Sequence, residues 1–453
     1  MIRFIIALIL SKTALFIYKI IGKTKDDKPG LLANKICPNF LARIKKPELV
    51  ICVSGTNGKT SIVNFIADIM KKEGKKVGYN DWGANIFAGH SRVLLDTVNI
   101  FNKSTKDVAI IEVDEKTSDR SIGMIKPNYF IITNLFRDSI RRNGHIEFIY
   151  NRLQQAFENS KDTIAILNAC DPISSTLAKN NKKIFVKIDD MGLSPKENNS
   201  KEYLMCPNCG SKPHYDYRLY RSIGQFNCPN CDFKSPEAKY TVNKINLSKN
   251  EMIVTEDNKK YKYKMVNDSI FYTFNLLFVI AILREIGILH ESLQKYISDL
   301  KITSYRNMKE IVNGKEINLF ACKGQNGSSS STVFEYLANN KEDKEIIILM
   351  DELHDKYHPL ETLTWMYEAD FEFLKSPNIK KIIVGGKMYL NYRVRLLLAG
   401  IDEDKIVCVL NEEDTINYLS NDNTKVYILF DVDIRQKAIK LLDLLKGDKN
   451  END

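Results

Sequence analysis

The chain has 453 residues, of which 44% are hydrophobic and 27% charged, proportions that exclude collagen-like, disordered and multi-span membrane classes. Lys plus Arg number 66 and Asp plus Glu 57, a net charge of +9, mild for this length; it suits anionic ligands or an anionic membrane face and gives no case for a nucleic-acid partner. At roughly 150 residues per domain the length suggests about three domains, and nine cysteines, four in two Cys-Pro-Asn-Cys pairs and five scattered, read as a reducing compartment with one metal site.

The first predicted element is an apolar stretch over 1–22. Phe4 to Leu10 is unbroken, Ser11, Lys12 and Thr13 interrupt it, and Ala14 to Tyr18 resume it. A membrane span wants about 20 apolar residues without a central Lys, and no small-residue cleavage pattern marks a signal peptide. The stretch reads as a helix docked on the body of the protein or lying on a membrane surface. Arg3, Lys12, Lys19, Lys23 and Lys25 suit an anionic leaflet.

Leu49 to Val53 is a short apolar run, a candidate buried strand. Gly55-Thr56-Asn57-Gly58-Lys59-Thr60-Ser61 follows, and then apolar residues recur at helical spacing from Ile62 to Met70. Strand, glycine-rich turn and helix form the setting of a phosphate loop, whose backbone N–H groups and helix N-terminus favour anionic oxygens. Lys59 is expected at the terminal phosphates and the Thr60 hydroxyl on Mg²⁺. A second apolar run, Val108 to Ile111, ends in Glu112, the candidate second Mg²⁺ ligand, with Asp114 and Glu115 close enough to share that role. Further runs end in Thr133-Asn134-Leu135 and in Asn168-Ala169-Cys170-Asp171. Strands alternating with helical stretches predict a parallel sheet with a nucleotide crevice at its carboxyl edge.

Cys206-Pro207-Asn208-Cys209 and Cys228-Pro229-Asn230-Cys231 are separated by 18 residues. Two such knuckles supply four thiolates that close a tetrahedron around Zn²⁺ and leave no open position, so a structural zinc ribbon is expected over about 200–240. Thr241 to Tyr263 reads as hairpin strands returning to the main domain. Beyond residue 301, apolar runs at Ile346–Leu349, Ile382–Val384, Ile406–Val409 and Val426–Phe430 alternate with helical stretches and predict a smaller second α/β domain. The expected layout is a lead-in over 1–45, an ATP-binding domain over 46–300 and a C-terminal domain over 301–453.

The order Gly-Thr-Asn-Gly-Lys-Thr, strand-end Glu112, Thr133-Asn134-Leu135 and Leu167-Asn168-Ala169 resembles the Mur ligase superfamily. Gly83-Ala84-Asn85, Glu112-Val113-Asp114-Glu115, Asn134-Leu135-Phe136-Arg137-Asp138 and the cysteine ribbon narrow the resemblance to its MurT branch. That likeness implies a Mur ligase-like fold and a cytoplasmic ATP- and Mg²⁺-dependent amide-forming ligase at the inner membrane face. It implies a lipid-linked peptidoglycan precursor, whose D-Glu α-carboxylate is activated as an acyl phosphate, and ammonia from a GatD-like glutaminase partner. Residue by residue, it suggests Asn275 near the adenine, Arg306 at the γ-phosphate and Lys323 in a Lys-Asn-Pro-Ala-Gly motif, here Lys-Gly-Gln-Asn-Gly.

Some positions depart from that pattern. The Asp opening the branch's Asp-Val-Ser-Trp stretch is Thr362. Asp351, Asp355 and Asp370 are nearby carboxylates, and Asp355 is the candidate to complete the partner's catalytic triad. Cys170 replaces an Asp of the relatives. Two rival readings follow from these departures: an amino-acid ligase working on a related cell-wall peptide without a glutaminase, and a non-catalytic nucleotide-binding subunit.

Overall fold

The computed structural model describes residues 1–453 except 25, 81–83, 138–144, 193–204, 268, 301–306, 323–325, 351–362, 423, 432–433 and 448–453. Two compact units divide the chain, one built mainly from residues up to 302 and the other mainly from 303 onward.

The first unit opens with α1 (Ile2–Ile20), α2 (Lys28–Ile36) and α3 (Phe40–Arg43). It continues through β1 (Leu49–Ser54), α4 (Lys59–Lys72), β2 (Val77–Tyr79), α5 (Phe87–Thr97), β3 (Val108–Glu112), α6 (Ser118–Ile125) and β4 (Tyr129–Ile132). Next come α7 (Ile146–Glu158), β5 (Ile164–Asn168), β6 (Lys183–Ile188) and the ribbon strands β7 (His214–Tyr220) and β8 (Ile223–Asn227). It closes with β9 (Tyr240–Asn246), β10 (Glu251–Glu256), β11 (Lys259–Lys264), α8 (Ile270–Glu285) and α9 (His290–Ser298). The nine-stranded sheet has the order β11-β10-β9-β6-β5-β4-β1-β3-β2. From β9 to β2 every pairing is parallel, and β10 and β11 add an antiparallel edge.

Side chains alternate across this sheet, as the period of two requires. Ile51, Val53, Ile110, Ile131 and Ile166 face one core with α4 and α8. Val50, Cys52, Ala109, Ile111, Phe130 and Leu167 face the other, with α1 and residues of α5. Both faces are covered, which is why these strands read as continuous apolar runs. Helix α8 is buried without a break from Thr273 to Leu283, the pattern of a helix enclosed on all sides. Because β1 lies between β3 and β4, the chain reverses its direction of winding there, and the crevice of an open α/β sheet falls at such a point.

The N-terminal helix docks by one stripe. Phe4, Ala7, Leu8, Ser11 and Leu15 are buried, and the Phe4 and Phe40 rings are 5.4 Å apart. Lys12, one of the five cations that would suit an anionic leaflet, donates to the Leu95 and Val98 carbonyls at 3.0 and 2.7 Å and so is not available to lipid. Those carbonyls end α5, where a cation satisfies acceptors left over by the helix. Lys19 pairs with Asp96 at 2.7 Å. Among the described residues no helix is long and apolar enough to cross a membrane.

The second unit comprises β12 (Asn307–Val312), β13 (Lys315–Cys322), α10 (Gly327–Asn339), β14 (Lys344–Leu349) and α11 (Thr364–Glu368). It ends with β15 (Ile379–Gly385), α12 (Tyr389–Leu398), β16 (Ile406–Val409), β17 (Lys425–Asp431) and α13 (Arg435–Lys446). Its six-stranded sheet runs β12-β13-β17-β14-β15-β16, antiparallel only at β12–β13. Arg395 on α12 is buried, and its guanidinium reaches the Met366 and Ala369 carbonyls, each at 2.8 Å, and the Glu372 carboxylate at 2.9 Å. One planar fork thus ties α11 and the turn after it to α12.

His90, fully buried on α5, sets its Nε2 3.1 Å from the Glu112 carbonyl oxygen. A carbonyl partner assigns the proton of the neutral ring to that nitrogen. Burial lowers the imidazole from 6.5 to about 4. Between those values the unfolded chain binds a proton that the folded chain does not, so stability rises with pH through that window and is lost on acidification. Urea denaturation of His90→Gln is expected to lack about 3 kcal/mol of the acid-side loss that the wild type shows.

Candidate functional site

The loop from Gly55 to Ser61 joins β1 to α4 and owes its shape to two glycines. Gly55 has φ +119° and Gly58 φ +90°, a region that L side chains avoid. Space is also lacking: a Cβ on Gly55 would collide with Thr133 Oγ1, and one on Gly58 with Asn275 Oδ1. Lys59 follows at once as the first residue of α4. The free N–H groups of that first turn are oriented as a phosphate cradle requires.

Residues after β4 pin the loop from one side. Thr56 N–H donates to the Asn134 carbonyl at 2.9 Å. Asn57 N–H donates to Asn134 Oδ1 at 3.2 Å, and Thr133 Oγ1 donates to the Asn57 carbonyl at 2.6 Å. Thr56 Oγ1 donates to the Phe136 carbonyl and accepts from its N–H, at 3.0 and 2.9 Å. Behind them, Asp171 accepts from Leu135 N–H at 2.8 Å, and Asn168 donates to the Thr133 carbonyl at 3.3 Å. The polar strand ends read from the sequence therefore form one connected scaffold under the loop.

Thr60 Oγ1 donates to Glu112 Oε2 at 2.8 Å, so the two proposed Mg²⁺ ligands meet. Glu112 is almost fully buried at the end of β3. Its main chain is fixed by Asn80, which accepts from its N–H at 2.9 Å, and by His90. A hard divalent cation takes oxygen ligands of this hydroxyl and carboxylate type, and the pair sits beside the loop, so the donor set fits.

Lys59 donates to the Gly55 carbonyl and, at 2.7 Å, to Glu115 Oε1. Burial pushes the Glu115 carboxyl up against the pull of this ammonium. Glu115 therefore faces the Lys59 ammonium, while Glu112 faces the Thr60 hydroxyl. Asp114 turns its carboxylate to the Lys116 N–H at 2.9 Å. Asn275, on α8, is buried against Gly58, and Ser61 lies in the first turn of α4. Arg306, Lys323, Asp351, Asp355 and Thr362 fall outside the described residues.

The four knuckle cysteines converge. Cys206 and Cys231 sulfurs are 3.5 Å apart, Cys209 and Cys228 sulfurs 3.4 Å, and all four lie within 4.8 Å of one another. Metal–sulfur bonds of about 2.3 Å give tetrahedral edges of about 3.8 Å, inside that range, so the donor set fits a metal.

The ribbon's opposite end was invisible to spacing arguments. Between β7 and β8, Tyr220 is buried with its ring 4.3 Å from Phe271 and 6.0 Å from Phe136. Arg221, at φ +44°, holds its guanidinium 5.6 Å from the Phe136 ring. Phe136 is the residue that clasps Thr56. The hairpin tip is therefore built into the wall beside the loop. Only the run of aromatics from Tyr215 to Phe226 hinted at burial there.

A family profile described as Mur ligase middle domain matches residues 53–230, and one described as MurT ligase C-terminal matches 324–431. The MurT subunit of lipid II isoglutaminyl synthase (glutamine-hydrolyzing) from Staphylococcus aureus strain COL is 29% identical over 88% of this chain and 89% of its own length. The same subunit from Streptococcus pneumoniae is 25% identical over 94% and 93%. Among solved structures, a pseudomurein peptide ligase type C from Methanothermus fervidus superposes with a TM-score of 0.68 at 17% identity, covering 93% of this chain and 85% of that one. MurF ligase from Thermotoga maritima, solved with ADP, gives 0.59 at 12% identity, with 89% and 80% covered. Together with the loop and the ribbon, these likenesses make the chain similar to the Mur ligase superfamily, and over nearly its whole length to MurT subunits.

Proposed function

We propose that the chain is the synthetase subunit of an ATP-dependent, glutamine-hydrolysing amide ligase acting on a lipid-linked peptidoglycan precursor. The observation that carries this reading is the meeting of Thr60 with Glu112 beside a loop whose glycines cannot be replaced, in a chain alike to MurT subunits over nearly its whole length.

Gly55 to Ser61 binds the polyphosphate through backbone N–H groups and the N-terminus of α4. Lys59 adds a cation at the terminal phosphates, and Asn275, which packs on Gly58, is the residue we assign to the adenine side. Arg306 is the further cation assigned to the γ-phosphate. Thr60 and Glu112 hold Mg²⁺, which supplies positive charge to the phosphate oxygens. The γ-phosphoryl group passes to an oxygen of the D-Glu α-carboxylate as ADP leaves. Ammonia then attacks the acyl carbon and inorganic phosphate departs. Positioning and charge do most of this work, because the transferred group needs little covalent help from the protein. The ammonia comes from a GatD-like glutaminase, whose triad we assign Asp355 to complete. Cys206, Cys209, Cys228 and Cys231 hold a structural Zn²⁺ that fixes the hairpin carrying Tyr220 and Arg221.

With a GatD-like partner, Mg²⁺, ATP, glutamine and lipid II, the purified chain is expected to amidate the precursor; absence of ATP turnover under these conditions rejects the reading. Lys59→Ala should weaken ATP binding by calorimetry more than about tenfold, and Glu112→Gln should lower Mg²⁺-dependent turnover by about a hundredfold. Asp355→Asn should abolish glutamine-dependent amidation while free ammonia still supports it. For the ribbon, elemental analysis should find one zinc per chain. Cys209→Ser should release it, lower the melting temperature and weaken ATP binding through the displaced hairpin tip; unchanged nucleotide affinity after full zinc loss would separate the ribbon from the site.

A further inference from the structure

We infer that the outward face of α1 is a docking surface for an anionic lipid bilayer, on which the helix lies flat. The buried stripe of α1 leaves the opposite side uncovered, and that side is apolar. Ile2, Ile6, Ile9, Phe16, Ile17 and Ile20 follow the three- and four-residue spacing of one helix face and are each between 45% and 75% exposed. Water gains nothing from six such side chains aligned on a helix already anchored by its other side.

Charge selects the occupant. Residues 1–25 contain Arg3, Lys12, Lys19, Lys23 and Lys25, and the first acidic residue is Asp26. Lys12 is spent on the α5 carbonyls and Lys19 on Asp96. Arg3 and Lys23 are exposed at the two ends of the helix, and Lys28 and Lys35 are exposed on α2. A second copy of the chain would bring these like charges together. It would also bury little: a 19-residue helix is about 28 Å long, so its face offers roughly 300 Å² per partner where a stable interface takes about 800 Å². Anionic headgroups neutralise the cations while the acyl boundary accepts the apolar side chains, the arrangement of an interfacial helix. Since no described helix is long and apolar enough to cross, the contact is peripheral. It does not depend on the ligase reading, because a chain that bound no nucleotide would still carry this face.

Flotation of the full chain with vesicles of phosphatidylglycerol, and separately of phosphatidylcholine, tests the surface. The expected result is co-flotation with the anionic vesicles, weakened by salt, and little with the neutral ones. Ile9→Asn combined with Phe16→Ser changes only exposed positions and should lower partition by about tenfold or more. Arg3→Glu with Lys23→Glu should remove the preference for anionic lipid. Circular dichroism and the heat of ATP binding should match the wild type in both variants, which keeps misfolding and a failed ligase reading apart from a failed surface. No flotation with phosphatidylglycerol, or flotation unaltered in the Ile9/Phe16 variant, would overturn the inference. So would self-association in sedimentation velocity that this variant abolishes, since that outcome gives the face to a second copy.

Discussion

The nucleotide end of the first unit rests on a point of contact too close for any side chain. At Gly58 the backbone takes a left-handed turn, and the space a Cβ would occupy is filled by the amide of Asn275. The same holds at Gly55, where Thr133 fills that space. Two segments from distant parts of the chain thus press directly on the loop's main chain. The loop is held from behind, because the Thr56 and Asn57 N–H groups go to Asn134, the Asn57 carbonyl to Thr133 and the Thr56 hydroxyl to Phe136.

Charge is arranged with the same economy. Glu112 meets Thr60 and Glu115 meets Lys59, at 2.8 and 2.7 Å. Two carboxylates three residues apart in sequence therefore do different jobs, one facing the hydroxyl and the other the ammonium. The division follows from backbone direction, since β3 ends at Glu112 and a short turn begins at Glu115. The ribbon, remote in sequence, reaches the loop by another route, through Tyr220 and Arg221 packed on Phe136, which holds Thr56.

Much of this was legible in the sequence because it is local. Apolar runs marked β1, β3, β4 and β5, glycine spacing marked the loop, and cysteine spacing marked the ribbon. What escaped depends on strand order, which period does not encode. That β1 lies between β3 and β4 brings Glu112 and Thr133 to the loop at once. Asn275 was suggested only by family likeness, and its position against Gly58 depends on how α8 packs on α4. The basic charge of Lys12 is visible in the sequence, while the carbonyl end of α5 that takes it up is not.

Helix α8 has a bearing on how the chain acquires its form. It is enclosed on all sides and packs on α4, yet it is encoded some 200 residues after β1. Closing so long a loop is entropically costly and slow. During synthesis the early strands and α4 therefore wait, one face uncovered, for a late segment to arrive. Gly58 meets its amide neighbour only at that moment, so the grip on phosphate is among the last features of this unit to mature.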